Sequence, residues 1–180
     1  MKKGFRFLAL GLMLSGLVFA QDKKPSPPAK AEQKVGSETI SINYSQPSVK
    51  GRKIWGELVP FGLTKTKDGK MIPWRAGANE NTTFTISKDA KIEGQTLKAG
   101  TYGLHMIPGE KEFVVIFSKN STSWGSYSYD QKDDALRVTV KRDAAKFQEI
   151  LTYGFDAVTD KSCTTYLHWE LVKVPFKVEF

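Results

Sequence analysis

Thr101-Tyr102-Gly103-Leu104-His105-Met106-Ile107-Pro108-Gly109-Glu110-Lys111-Glu112-Phe113-Val114-Val115-Ile116-Phe117 decides the fold. Tyr102, Leu104 and Met106 alternate with Thr101, Gly103 and His105, the two-residue period of a half-buried strand. On that reading His105 falls on the polar face of its strand. Pro108-Gly109-Glu110-Lys111-Glu112 supplies a turn. Phe113 to Phe117 is continuously apolar, as expected of a strand covered on both sides. Two such runs joined by a turn predict a β-hairpin.

The same rhythm extends outward in both directions. Ile40, Ile42 and Tyr44 alternate with Thr39, Ser41 and Asn43, and Phe84 and Ile86 with Thr83, Thr85 and Ser87. Leu136, Val138 and Val140 form another strand, and Leu151, Tyr153 and Phe155 a further one. Thr165, Leu167, Trp169 and Leu171 alternate with Tyr166, His168 and Glu170. Val174, Phe176, Val178 and Phe180 end the chain, and Pro175, which cannot donate to a ladder, places this last strand at a sheet edge. Asp143 to Gln148 is the one candidate helical turn. The fold class is therefore all-β, a single antiparallel β-sandwich, jelly-roll-like or barrel-like, with little helix. Two long loops interrupt it, from Ser45 to about Ile72 and from Lys119 to Ala135. Long irregular connections in a compact domain are usually functional, so both are candidate walls of a site.

Residues 1–20 read as a secretory signal: Lys2, Lys3 and Arg6 precede an apolar run from Phe7 to Phe19, and Val18-Phe19-Ala20 fits a small-residue cleavage site. The run is shorter than the ~20 residues of a membrane span. The expectation is a periplasmic or secreted protein with no membrane span after cleavage. Residues 21–36 are rich in Pro, Lys and Ala and read as a flexible linker. Residues 37–180 are then the folded domain, long enough for one core.

The formal charge of the 180 residues is +8, and the signal carries three of those cations and no acid. The remaining lysines are scattered and form no basic cluster interleaved with aromatics, which argues against nucleic acid. The single cysteine, Cys163, excludes an intramolecular disulfide and any paired-cysteine metal site. Two histidines without an acidic cluster give no metal motif, and no cofactor-binding loop is present. A lone Cys at a strand start is usually a small core residue. His168 lies five residues on, and nothing in the sequence brings the two together.

The least ordinary stretch is Pro73-Trp74-Arg75-Ala76-Gly77-Ala78-Asn79-Glu80-Asn81-Thr82-Thr83. Gly77 between two alanines lets the backbone pass close to a neighbour. The Arg75 fork suits a carboxylate or phosphate. Two readings stand side by side: Arg75 pairs with Glu80 or another carboxylate and pins a loop, or it faces a ligand. Lys50, Arg52, Arg75 and Asn79 would make a pocket for an anionic group, a carboxylate, phosphate or uronic acid. Trp55, Trp74, Trp124, Tyr127 and Tyr129 lie in or beside the two loops, either gripping a ligand or plugging the ends of the sandwich. For hydrolysis of a saccharide or ester, Glu80 with Asp130 is the best carboxylate pair.

Several segments resemble one family of exported bacterial proteins, "domain of unknown function 2911". They are Tyr44-Ser45-Gln46-Pro47-Ser48-Val49-Lys50-Gly51-Arg52-Lys53-Ile54-Trp55-Gly56, Trp74 through Thr83, Ala99-Gly100-Thr101-Tyr102, and Trp124-Gly125-Ser126-Tyr127 with Tyr129-Asp130. The family pattern has Arg where this chain has Gln46. The resemblance spans about Ser37 to Phe180 and implies an exported β domain, with no reaction attached. The leading functional expectation is a binding module for a small ligand, a glycan or an envelope partner, with binding residues Trp74, Arg75, Asn79, Glu80, Lys50, Arg52, Trp124 and Tyr127. The alternatives are a hydrolase using Glu80 and a purely structural envelope protein.

Overall fold

The computed structural model describes residues 24–180; the expected signal, 1–20, lies outside them. Twelve strands follow in order. They are β1 (Pro28–Val35), β2 (Glu38–Ser45), β3 (Thr64–Lys65), β4 (Met71–Ile72), β5 (Thr83–Ile86) and β6 (Ala90–Ile92), then β7 (Gln95–Leu97), β8 (Gly100–Ile107), β9 (Glu112–Ser118), β10 (Asp134–Lys141), β11 (Asp143–Asp156) and β12 (Ser162–Glu179). One 3-10 turn, Gln131–Asp133, is the only helical element among the described residues. A six-stranded sheet runs β1-β2-β5-β8-β9-β10, a four-stranded sheet runs β11-β12-β6-β7, and β3 pairs with β4. Every ladder between strands is antiparallel. This is the expected sandwich, open rather than closed.

Between the sheets lies one continuous core. Ile40, Ile42, Phe84, Leu104 and Phe117 from the larger sheet and Leu167, Trp169, Phe176 and Val178 from the smaller are essentially inaccessible. Phe176 sits 6.0 Å from Phe84 and 5.9 Å from Phe117, ring centre to ring centre, which joins the two layers. Tyr44 meets Tyr153 edge-on at 4.9 Å. Such aromatic pairs contribute about 0.5–1.5 kcal/mol each beyond the area they bury.

Four expectations are corrected. Residues 28–35, expected within the linker, form β1, a full ladder with β2 from Pro28↔Ser45 to Val35↔Glu38. Ala29, Ala31 and Val35 turn inward while Lys30, Glu32 and Lys34 stay exposed, so a strand at the sheet edge hid inside a disorder-like composition. Asp143 to Gln148 is extended, not helical, because β11 continues along β12 as far as Asp143↔Lys173. The pairing overrides a weak local helix preference.

β12 is a single strand of 18 residues rather than two. Cys163, Thr165, Leu167 and Trp169 are buried; then Leu171 is exposed and Val172, Val174, Phe176 and Val178 are buried. The switch falls at Glu170, whose φ is 56°, opposite the irregular register at Gln148. One extra residue moves every later side chain to the other face. Pro175 is consequently not on an edge strand. It falls between the β11 register, which ends at Lys173, and the β6 register, which begins at Val178, where no ladder hydrogen bond is asked of it.

His105 is the fourth correction: its side chain is 1% exposed. Both faces of β8 are covered from Tyr102 to Met106, because the 119–133 loop folds over the outer face at this end.

Trp169 touches both layers of the rim, stacking on Trp74 and meeting Trp55 edge-on. Trp169→Ala should destabilise the domain by about 3–5 kcal/mol, the usual range for a large aromatic core truncation. Urea unfolding followed by tyrosine fluorescence checks it, and a loss under 1 kcal/mol would show that this residue is not central to the core.

Candidate functional site

Trp74 is bonded to β8 like a strand residue. Its N–H donates to the Met106 carbonyl and Met106 N–H donates to the Trp74 carbonyl, both at 2.8 Å. Eight residues later Thr82 returns to the same strand, its carbonyl accepting from Leu104 N–H at 2.7 Å. Residues 75–81 are thus an excursion pinned at both ends beside β8. Its tight path needs φ of 50° at Ala76 and 58° at Asn79. Gly77 packs so closely that a Cβ would lie 2.7 Å from Thr82 Oγ1. The buried Tyr153 hydroxyl donates to the Ala76 carbonyl at 2.8 Å, tying the excursion to the second sheet.

Arg75 leaves this loop half-buried. Its Nη1 donates to the Asn79 carbonyl, and its guanidinium lies 5.2 Å from the centre of the Tyr127 ring, within cation–π range. On its other side is Gly125, where any Cβ would overlap the guanidinium. No carboxylate lies within ion-pair distance of Arg75 among the described residues. The pairing with Glu80 is therefore corrected: Glu80 binds Lys24 instead.

Two cavities flank Trp74. One, of about 310 Å³, is bounded by Lys50, Arg52, Trp74, Gly77 and Trp169. The other, of about 460 Å³, is bounded by Lys65, Lys67, Trp74, Arg75, Ser126 and Tyr127. Leu58, Val59 and Trp74 belong to both. The two long loops meet at the second cavity, since Leu58 to Ile72 come from the first and Ser126 and Tyr127 from the second.

The expected four-residue pocket is accordingly divided. Lys50 and Arg52 are on one side of Trp74 and Arg75 on the other, while Asn79 lines neither cavity. Asn79 instead holds the chain entry, its Nδ2 donating to the Ser26 carbonyl at 2.8 Å. Trp124 is 57% exposed with Lys24 over its ring, and lines neither cavity. Asp130 accepts from Lys132 N–H and caps the 3-10 turn, so neither it nor Glu80 faces the cavities. Trp55 and Tyr129 are packed inside, as the plugging alternative had it. Cys163 points to the core while His168 lies on the opposite face of β12, its Nε2 beside the Lys146 carbonyl at 2.9 Å.

Sequence reasoning missed a polar cluster under the second loop. His105, Ile116 and Arg137 are successive cross-strand neighbours on β8, β9 and β10. Ser126 Oγ lies 2.8 Å from His105 Nδ1, and the Tyr129 ring packs edge-on against the imidazole. Tyr129 hydroxyl donates to Asp134 Oδ2 at 2.9 Å, and Arg137 bonds both. Burial first, and the Asp134 carboxylate second, push the Tyr129 hydroxyl up to about 12. Burial first, and the Arg75 charge second, together pull His105 down to about 4. His105 is therefore neutral at pH 7, where it can share one proton with Ser126 without a second cation beside Arg75. The turn of residues 65–70 brings Lys65 and Lys67 to the second cavity as well, and its sequence signal is Asp68-Gly69 with Lys65, Lys67 and Lys70 around it.

These features define an all-β domain with a cation-lined, aromatic-centred rim. A family model described as "Protein of unknown function (DUF2911)" matches residues 26–178, and the chain belongs to that family. No curated protein and no solved structure matches it. No helix of the described residues is long and apolar enough to cross a membrane.

The pH dependence follows from His105. Its folded pKa lies below the ordinary 6.5, so the unfolded chain binds the proton more readily. The stability this group contributes is whole above about 6.5 and is lost as pH falls from there through about 4, by up to about 3 kcal/mol. Chemical denaturation between pH 7 and 4 should show the parent losing stability faster than His105→Gln. Parallel curves would mean that His105 is not held neutral by its surroundings.

Proposed function

We propose that the protein is exported and acts as a binding module for a small anionic ligand, with Arg75 as the anchor. The signal-like first 20 residues support export. One observation carries the binding reading: a half-buried guanidinium borders a ligand-sized cavity with no carboxylate partner among the described residues. A cation placed there for architecture alone would be expected to have a carboxylate opposite it. Tyr127 and Trp74 add ring surface beside the cation, and Ser126 adds a hydroxyl, the mixture of apolar walls and few polar groups typical of small-molecule sites. The ligand chemistry that fits is a carboxylate or phosphate on a compact body, with an acidic sugar matching the aromatic walls best.

Titration calorimetry with galacturonate, glucose 6-phosphate and neutral glucose tests this. The acidic sugars should bind and glucose should not. Arg75→Ala should weaken binding about ten- to hundredfold, the equivalent of about 1.5–3 kcal/mol for hydrogen bonds to a charged group, while leaving the unfolding midpoint in urea nearly unchanged. A variant that loses several kcal/mol of stability, with no anion shifting the parent's midpoint, would instead make Arg75 a structural residue.

A further inference from the structure

Five cations border the two cavities: Lys50 and Arg52 on one side of Trp74, and Lys65, Lys67 and Arg75 on the other. None of them is in an ion pair among the described residues, whereas Lys24, Lys53, Lys98, Arg137 and Lys173 all are. The one acid bordering either cavity is Asp68, and its carboxylate already accepts from Thr66. Five cations without an ion pair among the described residues thus border two adjacent cavities that a single acid lines. Such a field favours a ligand with more than one negative charge.

The two lobes are neighbours that share Leu58, Val59 and Trp74 as a common wall. Each reaches the ~300 Å³ at which ligand pockets begin, with volumes of about 310 and 460 Å³. Trp74 forms the ridge between them. One of its faces is stacked on Trp169 at 6.2 Å, and Trp55 holds it edge-on at 5.7 Å, so the ring cannot swing aside.

Building on the assignment of Arg75 as an anion anchor, we propose that the two lobes form one groove for an acidic oligosaccharide. Consecutive uronate rings straddle Trp74, with one carboxylate at Arg75 and another at Lys50 and Arg52. Sugar rings present an apolar face to Trp74 and Tyr127 and a carboxylate to the cations, which matches the alternation of the walls. An acidic peptide fits less well. The strands beside the groove, β3 and β4, have two residues each and offer too little free ladder for strand addition. A single-stranded nucleic acid would need successive open ring faces, whereas Trp74 has one face covered by Trp169.

Calorimetry on the full-length protein with galacturonate, digalacturonate and tetragalacturonate tests the groove. Tetragalacturonate should bind at least about tenfold more tightly than the monomer, because the second carboxylate binds intramolecularly, and its affinity should fall with added salt. The double variant Lys50→Gln, Arg52→Gln should bring the tetramer down to monomer affinity and leave the monomer unaffected. Arg52 also holds its own turn through the Val49 carbonyl, so Lys50→Gln alone serves as a second variant, expected to weaken the tetramer part of the way toward monomer affinity and to leave the monomer unaffected. Equal affinity for monomer and tetramer, with Arg75→Ala weakening both, would overturn the groove and leave the anion anchor standing. Binding indifferent to Arg75→Ala would overturn both. No binding of tetragalacturonate, or tighter binding of hexaglutamate or oligothymidylate, would overturn the assignment of the ligand as an acidic glycan.

Discussion

Everything at the rim depends on how Trp74 is held. Its backbone exchanges two hydrogen bonds with Met106 on β8, and its ring stacks on Trp169 of the opposite sheet. The first fixes where the chain leaves the sheet, and the second fixes the separation of the layers at that end. With both in place, the neighbouring Arg75 has a defined starting point. The return of the chain at Thr82 then forces residues 75–81 into a short arc with left-handed backbone at Ala76 and Asn79, each costing about 1 kcal/mol or more for a residue with a Cβ. The Tyr153 hydroxyl and the Asn79 amide are among the contacts that hold this arc in place.

The second loop completes the arrangement from the other side. Its grip on the sheet is polar: Ser126 to His105, Tyr129 to Asp134, and Arg137 to both Tyr129 and Asp134. Buried polar groups are tolerable only when paired, and once paired they specify one arrangement. That grip brings Gly125 and Tyr127 against Arg75. A neutral imidazole suits this place because a charged one would lie beside an arginine. Keeping His105 uncharged and keeping Arg75 free of a protein carboxylate are two sides of the same electrostatic condition.

The fold was largely legible because alternation of apolar and polar residues survives wherever a strand has one wet face, as in β2, β5 and β10. It failed where that premise failed. β1 carries alanines rather than large apolar residues at its inward positions, since an edge strand beside β2 needs little volume there. β11 begins with a helix-favouring sequence that its long pairing with β12 overrides. β12 changes phase at Glu170, so a single strand read as two. His105 departs from the alternation because a covering loop, not another sheet, buries its face, and no periodicity reports a loop. Of the candidate site, Trp74, Arg75, Lys50, Arg52 and Tyr127 were visible as residues with unusual chemistry. Their division into two cavities was not, because that depends on where Trp74's ring points. Asn79 and Glu80 were drawn in by sequence proximity to Arg75, and both serve the chain entry at Lys24 and Ser26 instead.

The central claim is that the Arg75 guanidinium is an uncompensated cation presented to the cavity. Nitrogen-15 NMR of the arginine side chains during a galacturonate titration tests it most directly. The account predicts that the Arg75 Nε–H resonance moves with saturation, together with the Trp74 indole N–H, while the Arg137 signal beside Asp134 stays in place. An Arg75 signal that is unmoved while the sugar binds would contradict it, as would a ligand-free Arg75 resonance whose shift follows the titration of a protein carboxylate.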